Sequence, residues 1–508
     1  MHPPSTQDPI VLPPARVFGK TGLFAVRVAD GRVAGVLPTF TALPGPERWL
    51  VPMFADGHLH LGLWATFLAS VDLRGKTTTA SCAAAVAIAA QRHEAGRWIL
   101  GRGFDVNRFA PGDEISADTL EAAAPDHPVY FAAHDEHAAW VSRRALRIAG
   151  IDRDTPDPYG GKIVRAASGE ATGYLLESAM QLVKRVLPQR TLEMWKDDLA
   201  IAQDDLLARG ILVVQDVDPD TEEGLRALDD EGKLVLHVAT AIASKDLRRA
   251  IRDGRRTGEG TAHLRLGGVK WFVDGSLGSR TAAMKAPYDD RPGDCGTWLL
   301  PEPRLLEELE LARDAGLRPL IHAIGDAAVE RVLRCLEKTG PWPAEIRPRI
   351  EHAQTVDDAD LAAFARSGAV ASMQPCHLAT DRAIAKRALG KRSSWLFRCR
   401  SLASRGVPLL LGTDAPVEPP DPLVSFHFAT QRCHPSTPDQ GPFYADECLS
   451  EDVALSAMTT HAAREIGFPD ILTELSPGNP IRHVLLERAS PHSPWSLAWR
   501  PKITPGDV

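Results

Sequence analysis

The 508-residue chain sets 58 Lys and Arg against 66 Asp and Glu, a formal charge of −8 with a pI near 6.1, so its electrostatics favour neither nucleic acid nor an anionic membrane as partner. A hydrophobic fraction of 44% and a charged fraction of 24% fit an ordinary globular protein, and no uninterrupted apolar run reaches the roughly 18 residues of a membrane span. The 7 scattered cysteines include no CxxC, and "MHPPSTQDPIVLPPARV" lacks the order of a signal peptide, which together predict a reducing, cytoplasmic setting.

Near the start, "FAVRVADGRVAGVL" (24–37) predicts a β-hairpin around Asp30-Gly31. A first strand then ends in "VPMFADGHLH" (51–60), where alternation puts His58 and His60 on one face. A long insertion, 61–210, follows with its own helix (77–96) and strand (127–137). Strand-like runs then recur: "ILVVQDV" (211–217), "LVLHVATAI" (234–242), "LGGVKWFVDG" (266–275), "RPLIHAIGD" (318–326), "RPRIEHAQ" (347–354), "GAVASMQP" (368–375) and "VPLLLGTDAP" (407–416). Segments 301–316 and 326–340 between them carry apolar residues at i, i+3 and i+4 and close on Gly. Strands alternating with helices predict an α/β fold with parallel pairing, and eight units predict a (β/α)8 barrel with its chemistry at the C-terminal strand ends. "GNPIRHVLLERA" (478–489) predicts a further strand, joining the N-terminal hairpin in a small β-domain.

The ionisable residues fall at those strand ends. A lone HxH is explained by two solvated histidines, but neutral imidazoles two apart on a strand also converge on one ion of zinc or a related metal. His322 and His352 end consecutive strands at equivalent positions, which favours ligation. Asp414 follows an apolar run, where a carboxylate must be paired or functional. Lys270 lies midway along a strand, and desolvation there lowers a lysine's pKa. The free amine can take up carbon dioxide to give an anionic ligand for two cations. Weaker candidates for substrate contact are His137 in the loop after the insertion's strand, Asp274 and Arg280 in "DGSLGSRTAA", and His377 after "SMQP". Trp64, with Phe104, Trp140 and Trp271, hints at an apolar substituent on the substrate, although tryptophans serve packing as often.

Together, "FADGHLH", "KWFVDGSLGSRTA", "IHAIGD", "RIEHAQ", "SMQP" and "GTDAPVEP" resemble the metal-dependent amidohydrolase superfamily, within it the branch of the N-substituted formamide deformylases. The resemblance runs from about residue 24 to about residue 489. It implies a (β/α)8 TIM barrel over 53–465 and a flanking β-sandwich made from 1–52 and 466–508. It further implies one or two divalent metals, zinc above all, with His58 and His60 on the first and His322 and His352 on the second. A carboxylated Lys270 would bridge them, and Asp414 would serve as both ligand and proton acceptor. Where relatives carry a small residue and an acid, this chain reads Ile481-Arg482-His483. The expected reaction is hydrolysis of a non-peptide carbon–nitrogen bond in a small molecule by a water that the metal acidifies. Deamination, ester or lactone hydrolysis at the same site, and a non-catalytic barrel that only binds, stay open as alternatives. So does pairing into a homodimer.

Overall fold

The computed structural model describes residues 9–39, 45–91, 94–110, 112–133, 138–159, 161–188, 190–472, 475–490 and 493–504. Eight parallel strands form one sheet in chain order: β1 (Phe54–Leu59), β2 (Ile211–Asp216), β3 (His237–Ala243), β4 (Leu264–Phe272), β5 (Pro319–Ala323), β6 (Arg349–His352), β7 (Val370–Met373) and β8 (Leu409–Leu411). β1 to β8 are buried almost throughout, which is why they read as continuous apolar runs rather than alternating ones. The helices Glu302–Asp314 and Asp326–Thr339 end at Gly316 and Gly340, both at positive φ, as their sequence pattern predicts.

The sheet curls into a nearly closed barrel whose seam lies between β1 and β8. Thr413 donates its hydroxyl to Asp56 Oδ2 at 2.6 Å and its amide to Asp56 Oδ1 at 3.1 Å, and Asp414 N–H donates to His58 O at 2.7 Å. Glycine permits this approach from both sides. A Cβ on Gly57 would meet Leu411 O at 2.9 Å, and one on Gly412 would meet His58 N at 2.5 Å. A polar core replaces apolar packing inside: Arg349 donates to Glu351 Oε1 (2.8 Å), Gln215 Oε1 (3.1 Å), Ser372 Oγ (3.2 Å) and the Gly57 carbonyl (2.5 Å).

Both chain ends join in one six-stranded sheet, ordered Ser496–Trp499, His483–Arg488, Glu47–Pro52, Ile10–Val17, Leu23–Ala29, Arg32–Thr39. Its hairpin turns on Asp30 (φ 51°) and Gly31 (φ 69°), the two left-handed residues of a type I′ turn. Leu12, Val26, Val33, Leu50, Ile481 and Leu485 bury its apolar face. The sequence beyond residue 489 contributes the edge strand Ser496–Trp499.

Leu63–Ala202 forms a compact unit of its own. Its mixed six-stranded sheet runs Gly161–Arg165, Ala171–Glu177, Ala138–Val141, Val129–Ala133, Ile99–Phe104, Val71–Asp72. Phe104, Phe131 and Trp140 sit together in its core, with the Phe131 and Trp140 rings 6.1 Å apart. No described helix is long and apolar enough to cross a membrane.

Candidate metal centre

His58 closes β1, His60 follows it, and Asp414 follows β8 across the seam. One donor atom from each lies within 4.8 Å of the other two. His60 Nε2 stands 3.3 Å and His58 Nε2 3.5 Å from the same oxygen, Asp414 Oδ1. Those separations match the edge of a tetrahedron built on bonds of about 2.0–2.1 Å, the lengths zinc makes to nitrogen and oxygen. Asp414 adopts φ 58°, a left-handed conformation that aspartate tolerates better than most residues.

Each ring is oriented by an acceptor on its far nitrogen. His58 Nδ1 donates to Glu351 Oε2 at 2.5 Å, His60 Nδ1 to Asp218 Oδ1 at 2.6 Å, and His352 Nδ1 to Gln374 Oε1 at 2.9 Å. An acceptor there places the proton on Nδ1 and leaves the Nε2 lone pair for a cation. His322 is turned the other way: its Nε2 donates to Gly275 O at 3.0 Å, which leaves Nδ1 as the free lone pair. The His322 and His352 rings lie 4.6 Å apart, and His352 lies 4.8 Å from His58, so the four imidazoles are continuous.

The electrostatics suit a cation. Burial, reinforced by Lys270, lowers His58 to about 4 and His322 to about 3, and burial drives His352 well below its usual value, so these rings stay neutral ligands. Burial opposes charge on His60 as well, but Asp218 and Asp414 lift it to about 9, so a cation entering there displaces a proton. Burial alone would raise Asp414 and Glu351. The hydrogen bond from His60, the protonated ring, leads in holding Asp414 well below the carboxylate range, and Arg349 with His58 does the same for Glu351. Burial lowers Lys270 to about 8. Four buried atoms here have no hydrogen-bond partner among the described residues: His58 Nε2, Asp414 Oδ1, Lys270 Nζ and His377 Nε2. Such orphans are costly unless something else satisfies them, and the donors of His58 and Asp414, with that of His60, lie close enough together to fit a divalent metal.

The remaining candidates separate. His377 Nε2 lies 3.6 Å from Asp414 Oδ2, in the short turn Pro375–His377 after β7. Asp274 does not face the cluster with a free carboxylate. Its oxygens accept from the amides of Ala283 (2.8 Å), Gly325 (2.8 Å) and Ile324 (3.0 Å) and so hold its own loop. Arg280 is likewise engaged, with Asp290 at 2.6 Å and the Leu277 and Gly278 carbonyls at 3.0 Å. Trp64 is buried and stacks on Phe67 at 5.0 Å. His137 lies outside the described residues. Glu351, Asp218 and Gln374, which orient three of the rings, were not singled out by the sequence pattern. The acidic neighbour of His352 in "RIEHAQ" was the available signal for one of them.

A family profile described as "Amidohydrolase family" matches residues 47–480. "Putative amidohydrolase YtcJ" of Bacillus subtilis (strain 168) is 31% identical over 423 residues, covering 82% of this chain and 79% of its own. "N-substituted formamide deformylase" of Arthrobacter pascens is 27% identical over 472 residues, covering 87% and 86%. The crystal structure of an uncharacterized metal-dependent hydrolase from Pyrococcus furiosus superposes with a TM-score of 0.73 at 26% identity, over 93% of this chain and 98% of that one.

Proposed function

The chain belongs to the amidohydrolase family and is a hydrolase, and on that premise we propose that it uses a divalent metal, zinc, to cleave a non-peptide carbon–nitrogen bond, an N-substituted formamide or related acyl-amine being the substrate class. The observation that carries this reading is the convergence of His58, His60 and Asp414 on one point beside an unpartnered, buried Lys270 Nζ. The name of the Arthrobacter pascens relative supports the bond type.

In this reading His58, His60 and Asp414 hold one ion. His322 and His352 would hold a second ion if one binds, and Lys270, if carboxylated, would add an anionic ligand. A lysine lowered to about 8 keeps enough neutral amine near pH 7 to add to carbon dioxide. A divalent ion held by this donor set would supply Lewis acidity toward a water and the scissile carbonyl. Asp414, held ionised by the neighbouring histidines, accepts the proton that the attacking water gives up. It then delivers that proton to the departing nitrogen, since an amine leaves poorly unless protonated. Glu351 and Asp218 keep two of the rings in the tautomer that ligation needs.

Asp414→Asn tests the assignment. The four histidines should retain metal, while kcat on a panel of formamides, acyl-amines, cyclic amides and esters falls by about 10²–10⁴-fold. Full turnover in that variant, or esters hydrolysed in preference to every amide in the wild type, contradicts the proposal.

A further inference from the structure

Strand alternation along β4 sorts three neighbours. Lys270 points inward and is buried. Trp271 points outward, is fully buried, and donates Nε1–H to Glu308 Oε2 at 2.7 Å. Phe272 returns to the side of Lys270 at the strand's C-terminal end, the end where barrel enzymes bind substrate. Its ring lies 5.1 Å from that of His322, and Lys270 Nζ is 5.0 Å from its centroid, yet Phe272 is 46% exposed. On the other side of the cluster, Val417 is 64% exposed and is tied to Asp414 by its amide, which donates to Asp414 O at 2.9 Å. Exposed apolar residues are common singly, but these two border candidate metal ligands from opposite strands. The cations of the loop after β4 are each paired with a carboxylate, Arg280 with Asp290 at 2.6 Å, Lys285 with Asp360 at 2.6 Å and Arg291 with Asp294 at 3.7 Å, which disfavours an anionic substrate.

We propose that Phe272, with Val417 on the other side of the cluster, is a specificity-determining platform that receives an uncharged aryl or alkyl substituent of the substrate. The preferred substrate is then a neutral, apolar-substituted amide rather than a carboxylate-bearing acyl-amino acid. This deepens the hydrolase reading above and rests on it. An aromatic ring at this position gains the contact area and edge-to-face geometry that a small substituent cannot.

The test uses hydroxamic acids, which anchor on a catalytic metal and vary only in their tail. Calorimetric Kd values are measured on the metal-loaded wild type, Phe272→Ala and Phe272→Leu for acetohydroxamic, benzohydroxamic and succinic monohydroxamic acids. The wild type is expected to bind the phenyl compound about tenfold tighter than the methyl one, a preference that falls toward unity in Phe272→Ala and partly returns in Phe272→Leu. An undiminished phenyl preference in Phe272→Ala, or tightest binding by the carboxylate-bearing acid, overturns the platform alone. Failure of all three to bind the wild type overturns the metal-site reading, and the platform with it.

Discussion

Glu351 and His352 are sequence neighbours, yet both reach the His58 ring: Glu351 by a hydrogen bond of 2.5 Å, His352 by a ring contact of 4.8 Å. Consecutive strand residues normally face opposite sides. His352 escapes that rule because it leaves the strand conformation at φ 69°. Glu351 is also the charge partner of Arg349, and both are fully buried. Glu351→Gln removes the anion that orients His58 and strands a buried guanidinium. Metal affinity, measured by chelator competition, should weaken about 10–100-fold. Stability to urea should fall by about 3–5 kcal/mol, the penalty of breaking a buried pair from one side. Wild-type affinity in that variant would reduce Glu351 to a core residue. The histidines, Lys270 and Asp414 stood out as candidates because each is an ionisable residue ending or interrupting an apolar run. Glu351 was not, because a carboxylate beside a histidine looks the same whether it serves that histidine or one on another strand.

At the scale of elements, the seam between β1 and β8 sets the candidate metal donors in register. Asp56, Thr413 and the Asp414 amide bond across it, and Gly57 and Gly412 let the backbones approach. Gly412→Ala would press a methyl against His58 N and Asp56 Oδ1, at 2.5 and 2.9 Å, with backbone on one side that cannot yield. We expect a loss of about 1–3 kcal/mol in denaturant stability together with reduced metal content, since the displaced strand carries the proposed ligands. Gly35→Ala is the control, because nothing lies within 4 Å of its added Cβ. Equal metal content and stability in the two variants would refute the role of the seam. The "DGH" and "GTD" motifs showed chemistry at their polar residues but not this close approach, which only pairing in space reveals. The aromatic residues misled for a related reason. Trp271 faces Glu308, and Trp140 and Phe104 belong to the core of Leu63–Ala202, whereas Phe272, never singled out, is the ring beside His322. Alternation along β4 contained that distinction, but only once its register was known.

For the whole molecule, composition and periodicity were enough for the α/β class and the order of the barrel strands, because most of the buried parallel strands contain a short apolar run bounded by a helix. They could not show which buried polar residues the fold neutralises. Two such residues lie outside the candidate metal cluster. His237 opens β3, donates Nδ1–H to Ala262 O at 2.9 Å, and stacks on His263 at 4.6 Å. His483, in the sheet built from both chain ends, has no hydrogen-bond partner for Nδ1 among the described residues. Burial pushes His237 down to about 3 and His483 down to about 4, from the ordinary 6.5. Both folded values lie below the unfolded one, so between about pH 6.5 and pH 4 the unfolded chain binds more protons. The stability these neutral rings contribute is therefore complete above about pH 6.5 and is lost as the pH falls toward 3–4. The slope approaches about 1.4 kcal/mol per pH unit for each ring. Buried Asp56, Asp216 and Asp274, raised by burial to about 7, act in the opposite sense over much of that window, so the total curve hides the effect. A difference measurement separates it. Urea unfolding of the His237→Phe, His483→Phe double variant and the wild type, followed from pH 7 to pH 4, should show the variant losing less stability per pH unit. Parallel curves would mean that these two histidines ionise in the folded chain as readily as in the unfolded one.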